Sequence, residues 1–291
     1  MKSNSGFAPS ILETPDKAME LVFDASGRFL VANDMVFEAG NPEPAPLGVE
    51  PGFLVAHPTK PMVAVLEDGK HGRVDFVELG GKRRVTHVAM AEVHQGAFDA
   101  AGKTFVVSRW HSHELSVFSL EGKLLRTVPM PNPEDTAPAV VFGPKDASLV
   151  AFTDAQKMVT LPLDGTPVER PLAKVKVLTG HALKVGMDRV LFHDMANSAM
   201  VSYQGEVLWT SRVGKEAVAL VPGTEAIAFV RLSKGAIGFF SATDRREGGR
   251  VREDQDSVLP TRLRVQPGGR RLGARRGRRV GGPAEPRLTL T

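Results

Sequence analysis

Short apolar runs of four to six residues, cut by polar turns, make up most of this chain, and one phrase keeps returning: an apolar residue, a tight polar turn, then a second apolar run. It is clearest at Phe23-Asp24-Ala25-Ser26-Gly27, Phe98-Asp99-Ala100-Ala101-Gly102 and Phe142-Gly143-Pro144-Lys145-Asp146. Weaker copies stand at Ala56-His57-Pro58-Thr59-Lys60, Val185-Gly186-Met187-Asp188, Val221-Pro222-Gly223-Thr224 and Val265-Gln266-Pro267-Gly268-Gly269. Counted from Asp24, His57, Asp99, Gly143, Gly186, Pro222 and Pro267, the intervals are 33, 42, 44, 43, 36 and 45 residues. A second landmark, an aromatic or apolar residue at Phe37, Phe76, Phe118, Leu161, Tyr203 and Phe240, recurs at 39, 42, 43, 42 and 37 residues. Two landmarks with one period predict a repeat whose unit is a single supersecondary element.

The third unit shows what that element is. Strands are predicted over 95–98, 104–109, 115–120 and 123–128, separated by a turn at 99–102, a loop at 111–114 and the turn Glu121-Gly122. β-branched and aromatic residues fill the strands, with Gly, Asp and Asn between them, so the unit reads as a four-stranded meander. Helical periodicity is not sustained over three turns anywhere, which disfavours an α-solenoid of similar period.

On these turn phrases, and on Leu115-Ser116-Val117-Phe118-Ser119-Leu120-Glu121-Gly122-Lys123-Leu124, the chain resembles the WD40-like and YVTN-type β-propeller superfamily. Phe118-Ser119, Leu161-Pro162 and Phe240-Ser241 stand where WD40 repeats carry Trp-Asp, and Gly180-His181 is the one Gly-His pair. The resemblance implies an all-β, seven-bladed β-propeller of four-stranded antiparallel blades, the last blade incomplete or aberrant. Residues 1–259 would form the propeller, with about six recognisable blades, and residues 260–291 a separate Arg/Gly-rich segment.

Composition narrows the chemistry. With 291 residues and 42% hydrophobic content the chain can bury a large core, and zero cysteines exclude disulfides, thiolate nucleophiles and cysteine metal sites. The first twelve residues lack the apolar core of an export signal, and no apolar run approaches membrane-spanning length, so a cytoplasmic protein without a membrane partner is expected.

Net charge is +4, but residues 245–291 hold 13 Arg, no Lys and 5 acids (+8), leaving 24 basic and 28 acidic residues (−4) in 1–244. Two readings of the tail stand side by side. Arg262, Arg264, Arg270, Arg271, Arg275, Arg276, Arg278 and Arg279 could form a basic arm that neutralises phosphates, making nucleic acid a partner only if the tail is genuine. It carries no aromatic residue for base stacking. Alternatively, a forward shift of one nucleotide would let the codons from Val265 encode Phe-Ser-Pro-Glu-Gly, the missing seventh turn phrase, so the tail would be a frame-shifted blade with a change near Leu259 to Arg264. Either way the segment from about residue 260 is expected to be poorly ordered.

In a propeller, the loops between the second and third strands of the blades share one face beside the central channel. Here they supply Asn33 and Asp34, Glu67 and Asp68, Arg109, Trp110, His111, His113 and Glu114, Asp154, His193 and Asp194, and Arg231. A ring of mixed charge of this kind suits a partner-binding face, although Asp and Asn are also ordinary hairpin-turn residues. His111 and His113, with Glu114 or His193, could also offer ligands to a metal. No nucleophile elbow, phosphate loop or His-Glu-x-x-His motif is present. The expected function is a non-enzymatic protein- or ligand-binding scaffold with no cofactor, whose partner is a protein or peptide. The alternative is a lactonase-type hydrolase with a divalent metal in the channel, for which Asn33, Glu67, Asp154 and Asp194 are the candidate ligands.

Overall fold

The computed structural model describes residues 20–241, apart from residues 42, 81–84, 136–137, 154–155, 173–174, 176–179, 195–196, 212–217, 221–225 and 232–235, and apart from the side chains of 211, 218–219, 226–231 and 236–241. Five four-stranded antiparallel sheets follow one another in chain order. The first holds β1 (Leu21–Phe23), β2 (Phe29–Ala32), β3 (Met35–Glu38) and β4 (Ala45–Pro46); the second β5 (Phe53–Ala56), β6 (Met62–Glu67), β7 (Arg73–Glu78) and β8 (Val85–Ala89). The third holds β9 (Val93–Phe98), β10 (Thr104–Arg109), β11 (Glu114–Ser119) and β12 (Leu124–Pro129). The fourth holds β13 (Ala139–Phe142), β14 (Ser148–Thr153), β15 (Lys157–Pro162) and β16 (Val168–Pro171); the fifth β17 (His181–Val185), β18 (Arg189–His193), β19 (Ser198–Ser202) and β20 (Val207–Ser211). A three-stranded sheet, β21 (Val218–Leu220), β22 (Ala226–Arg231) and β23 (Ala236–Ser241), completes the described residues.

Each sheet is a blade, and its first strand faces the axis. β1 lies beside β5, β5 beside β9, β9 beside β13, and β13 beside β17. Leu220 of β21 packs on the cluster of Val185, Leu191 and Met200 in the fifth blade, and β21 lies against β1. The circle of inner strands thus passes directly from the sixth sheet to the first. This corrects the expected seven blades: among the described residues the protein has five four-stranded blades and one three-stranded sheet. The seventh phrase at Val265 and the whole of residues 260–291, under either reading of the tail, lie outside the described residues.

Burial follows radius. Inner and middle strands such as β9 and β14 are buried at every position, because blade faces pack on both sides, whereas the outermost β12 is exposed or half-exposed throughout. The apolar clusters straddle neighbouring blades: one joins the first and second, one the second and third, and the largest the third, fourth and fifth. Closing a ring of sheets in this way gives each open sheet a neighbour on each side instead of a solvated face.

The turn phrase has a concrete physical basis. The backbone N–H of Asp24, His57, Asp99 and Gly143 each donates to the carbonyl five residues on, at Phe29, Met62, Thr104 and Ser148, at 2.9–3.1 Å. In the first and third blades the aspartate completes the turn. Asp24 accepts from the N–H groups of Phe29 (2.7 Å) and Ser26 (3.0 Å), and Asp99 from the Lys103 N–H (2.7 Å) and the Thr104 hydroxyl (2.8 Å). Gly27 and Gly102 adopt φ of 67° and 65°, a region that glycine enters without a Cβ penalty.

Those turns also latch the blades together. His57, fully buried, accepts from the N–H groups of Thr59 and Lys60 at Nδ1, so its proton sits on Nε2 and is donated to the Gly102 carbonyl of the next blade at 2.8 Å. Burial holds this imidazole below its ordinary pKa, in keeping with a neutral ring. Asp146 of the fourth blade accepts from the Ala100 N–H of the third at 2.9 Å, and the Tyr203 hydroxyl of the fifth donates to the Phe142 carbonyl of the fourth at 3.1 Å.

Candidate functional site

The turns between second and third strands lie on the face opposite those latches, and they are tied to the connections between blades. Leu47 N–H donates to the Asp34 carbonyl, Met90 to Gly72, Trp110 to Glu92, Met130 to His113 and Leu172 to Gln156. Every inner strand begins on this face, so its opening residues ring the channel mouth. Among those residues are Glu20, just before β1, Phe53 of β5, His94 of β9 and His181 of β17.

Their side chains meet across the axis. The Phe53 ring of the second blade stacks on His181 of the fifth, with centroids 4.2 Å apart and planes 10° from parallel. His181 in turn lies 5.6 Å from His94 and 5.8 Å from His193, and His94 packs against Trp110 at 4.1 Å. A layer below, Gln95 spans three blades: its amide donates to the Ala182 carbonyl at 2.8 Å and its oxygen accepts the Val140 N–H at 2.5 Å. These rings and this amide reach across the axis, and Phe53, Trp110, His181 and Glu20 keep part of their surface exposed.

Electrostatics at the mouth are set by burial. The pKa of His94 is lowered to about 4 by burial, which outweighs a hydrogen bond with the Gly180 backbone and the charge of Asp68, both acting the other way. Burial, followed by the neighbouring His193 and His94, takes His181 down to about 3, and among the described residues its Nδ1 lacks a partner. Both rings are therefore neutral at pH 7. Burial pushes the Glu20 carboxyl up to about 8, against a hydrogen bond from the backbone N–H of Leu54, the residue next to Phe53.

The expected binding residues divide into two groups. Trp110 and His193 join the ring cluster, and the charge of Asp68 acts on His94 within it. The rest serve their own turns or strand ends. Asn33, at φ 52°, accepts the Glu20 N–H at 3.0 Å; Asp68 accepts from Gly69 at 2.6 Å; Asp194 accepts from Asn197 at 2.6 Å. Asp34 is exposed. Glu67 pairs with Arg73 at 3.2 Å, Arg109 donates to the Ser112 hydroxyl at 3.4 Å, and Glu114 opens β11. His111, at φ 58°, and His113 are both exposed, and among the described residues no group of three or more His, Asp or Glu is placed to hold a metal ion. Asp154 and the side chain of Arg231 lie outside the described residues. Phe53, His94, His181 and Glu20 were not among the expected residues.

Fold comparison agrees with this architecture. A streptogramin B lyase structure superposes with a TM-score of 0.58 at 12% identity, covering 83% of this chain and 84% of that one. Virginiamycin B lyase from Staphylococcus aureus, as a catalytically inactive variant with quinupristin, gives 0.56 at 12% identity over 80% of this chain and 84% of its own. The β-propeller domain of Cps50 (Swd1) from Myceliophteria thermophila gives 0.51 at 10% identity over 77% and 84%. The chain has the β-propeller fold. At these identities the likeness is one of fold alone. No family model and no curated protein matches the sequence. Among the described residues of this propeller no helix is long and apolar enough to cross a membrane.

Proposed function

We propose that this propeller is a non-enzymatic binding module that takes a protein or peptide partner on the channel-mouth face. One observation carries the reading: a chain of ring contacts, Phe53 to His181 to His94 to Trp110, joins three blades at the mouth and carries a buried imidazole nitrogen, Nδ1 of His181, that has no partner among the described residues. Buried polar atoms without partners cost stability, typically about 1–3 kcal/mol each, so a mouth that retains one is suited to a visitor that supplies the missing hydrogen bond. Partly exposed aromatic rings on a rigid scaffold are also what anchors a partner most strongly.

The test is peptide display against the full chain, comparing the wild type with the double variant Phe53→Ala, Trp110→Ala. Selective enrichment by the wild type, insensitive to EDTA, is the expected result. Enrichment identical for both proteins, or none, would overturn the proposal. The metal-dependent hydrolase alternative predicts turnover of lactone substrates that EDTA abolishes.

A further inference from the structure

We infer that Ser10-Ile11-Leu12-Glu13-Thr14-Pro15 docks on the edge of the sixth sheet as its fourth strand, antiparallel to β23, with Pro15 opposite Ala236. The inference concerns which segment holds the ring closed and does not depend on what the mouth binds. Topology, spacing and one residue type lead to it.

Each of the first five sheets ends in an outermost strand that pairs with the third, and the chain passes from it to the inner strand of the next sheet. Among the described residues the sixth sheet has three strands, so β23 pairs on one side only, with β22. A strand edge of this kind presents N–H and C=O groups ready to pair. The inner strand that follows the sixth sheet around the ring is β1, because β21 lies against it. The residues leading into β1 therefore stand where an outermost strand leads into every other blade, and they run in the direction that pairs antiparallel with β23. The separations from outermost strand to next inner strand are 6, 3, 9, 9 and 6 residues. Counted back from Leu21, a separation of 3 to 9 residues ends the docking strand between residues 11 and 17.

Proline fixes the register. β4, β12 and β16 end in Pro46, Pro129 and Pro171, and each stands opposite the first residue of the third strand, at Met35, Glu114 and Lys157. A residue without an N–H is tolerated there because an outermost strand pairs on one side alone. Pro15 is the one proline between residues 11 and 17. Placed opposite Ala236, the first residue of β23, it sets Thr14 against Ile237, Glu13 against Gly238, Leu12 against Phe239 and Ile11 against Phe240. Apolar positions then oppose apolar positions, as cross-strand pairing favours.

The chain after β23 is the competing source. Third and fourth strands are separated by 6, 6, 4, 5 and 4 residues in the first five sheets, so a hairpin strand would begin at residues 246–248. Residues 246–253 hold two glycines, five charged residues and a single apolar one, Val251, a poor strand composition.

The chain has no cysteine, so disulfide trapping in the full-length protein reads the register directly. Glu13→Cys with Gly238→Cys, and Leu12→Cys with Phe239→Cys, are in register. Leu12→Cys with Gly238→Cys is one residue out, which puts the two thiols on opposite faces of the sheet. In oxidised glutathione the faster in-register pair should close about tenfold more rapidly than the slipped pair. Equal rates would overturn the inference. Hydrogen exchange read by mass spectrometry then decides the source of the strand, with β14 as the internal control for a folded ring. The double variant Ile11→Pro, Leu12→Pro should strip protection from residues 237–241, and Val251→Pro should leave it intact. The reverse pattern would assign the edge to the chain after β23 and sink the proposal.

Discussion

Stability should pass through a maximum near pH 6.5, because the mouth holds two bases and one acid whose pKa values are displaced in opposite directions. His94 and His181 sit at about 4 and about 3 when folded, against 6.5 as the ordinary value. The unfolded chain therefore takes up their protons first, and stability is lost as pH falls through 6.5 toward the folded values. Glu20 is displaced from 4.5 to about 8, so the folded chain keeps its proton longer. That stability is present below 4.5 and is lost as pH rises toward 8. Integrating the proton uptake of each group from pH 6.5 to 4.5, the two histidines cost about 4 kcal/mol and Glu20 returns about 2, a net loss of about 2 kcal/mol. From pH 6.5 to 8.5, Glu20 costs about 2 and the histidines return about 1, a net loss of about 1 kcal/mol. Urea unfolding followed by tryptophan fluorescence at half-unit pH intervals measures this profile. Other carboxylates add to the acid limb, so the deciding quantity is the difference between wild type and His94→Leu, His181→Phe. That difference should change by about 4 kcal/mol between pH 6.5 and 4.5. A difference that stays constant over this range would refute the assignment of buried neutral imidazoles.

Further perturbations address the frame that holds the mouth. Gly102→Ala would place a Cβ 2.1 Å from Cε1 of His57 at φ +65°, and should cost about 3 kcal/mol, read as a fall in melting temperature of about 6–12 °C. Gln95→Leu leaves the Val140 N–H and the Ala182 carbonyl unpaired across three blades and should cost about 2–4 kcal/mol in chemical denaturation. Asp75, 1% exposed, accepts from Arg73 at 2.9 Å and pairs with His87 at 2.5 Å; Asp75→Asn should cost about 1–3 kcal/mol, with the loss shrinking in an Arg73→Met background. EDTA should leave the melting temperature unchanged, and a fall of several degrees would show that a metal supports the fold.

The period was legible because the turn that sets it is local. Asp24, His57, Asp99 and Gly143 each close the same five-residue backbone loop, so their spacing reports the blade length directly. Phe37, Phe76, Phe118 and Leu161 sit on β3, β7, β11 and β15, the third strands of successive blades. The number of blades was not legible in the same way. It depends on which inner strand comes to rest against β1, a contact between residues nearly two hundred positions apart in sequence, and β21 takes that place. Counting the phrase at Val265 as a seventh turn therefore overstated the ring.

Four residues of the mouth went unnamed for a related reason. Polar residues in loops attract notice, and Asp68 and Asp194 each hold a local hydrogen bond in their own turns that any hairpin can make. Beside Trp110 and His193, the mouth brings in residues that look unremarkable alone: a glutamate before a short strand, a phenylalanine opening one, and two histidines at the starts of inner strands. Aligning the repeats would have exposed them. Glu20 lies four residues before Asp24 and Phe53 four before His57, while His94 lies five before Asp99 and His181 five before Gly186. These positions occupy two adjacent columns at the start of the inner strands, where propeller geometry brings every blade to one axis. An acid, an aromatic ring and two imidazoles there are a combination that core packing alone does not require, and the first positions of the inner strands in a propeller sequence are the place to read its ligand chemistry first.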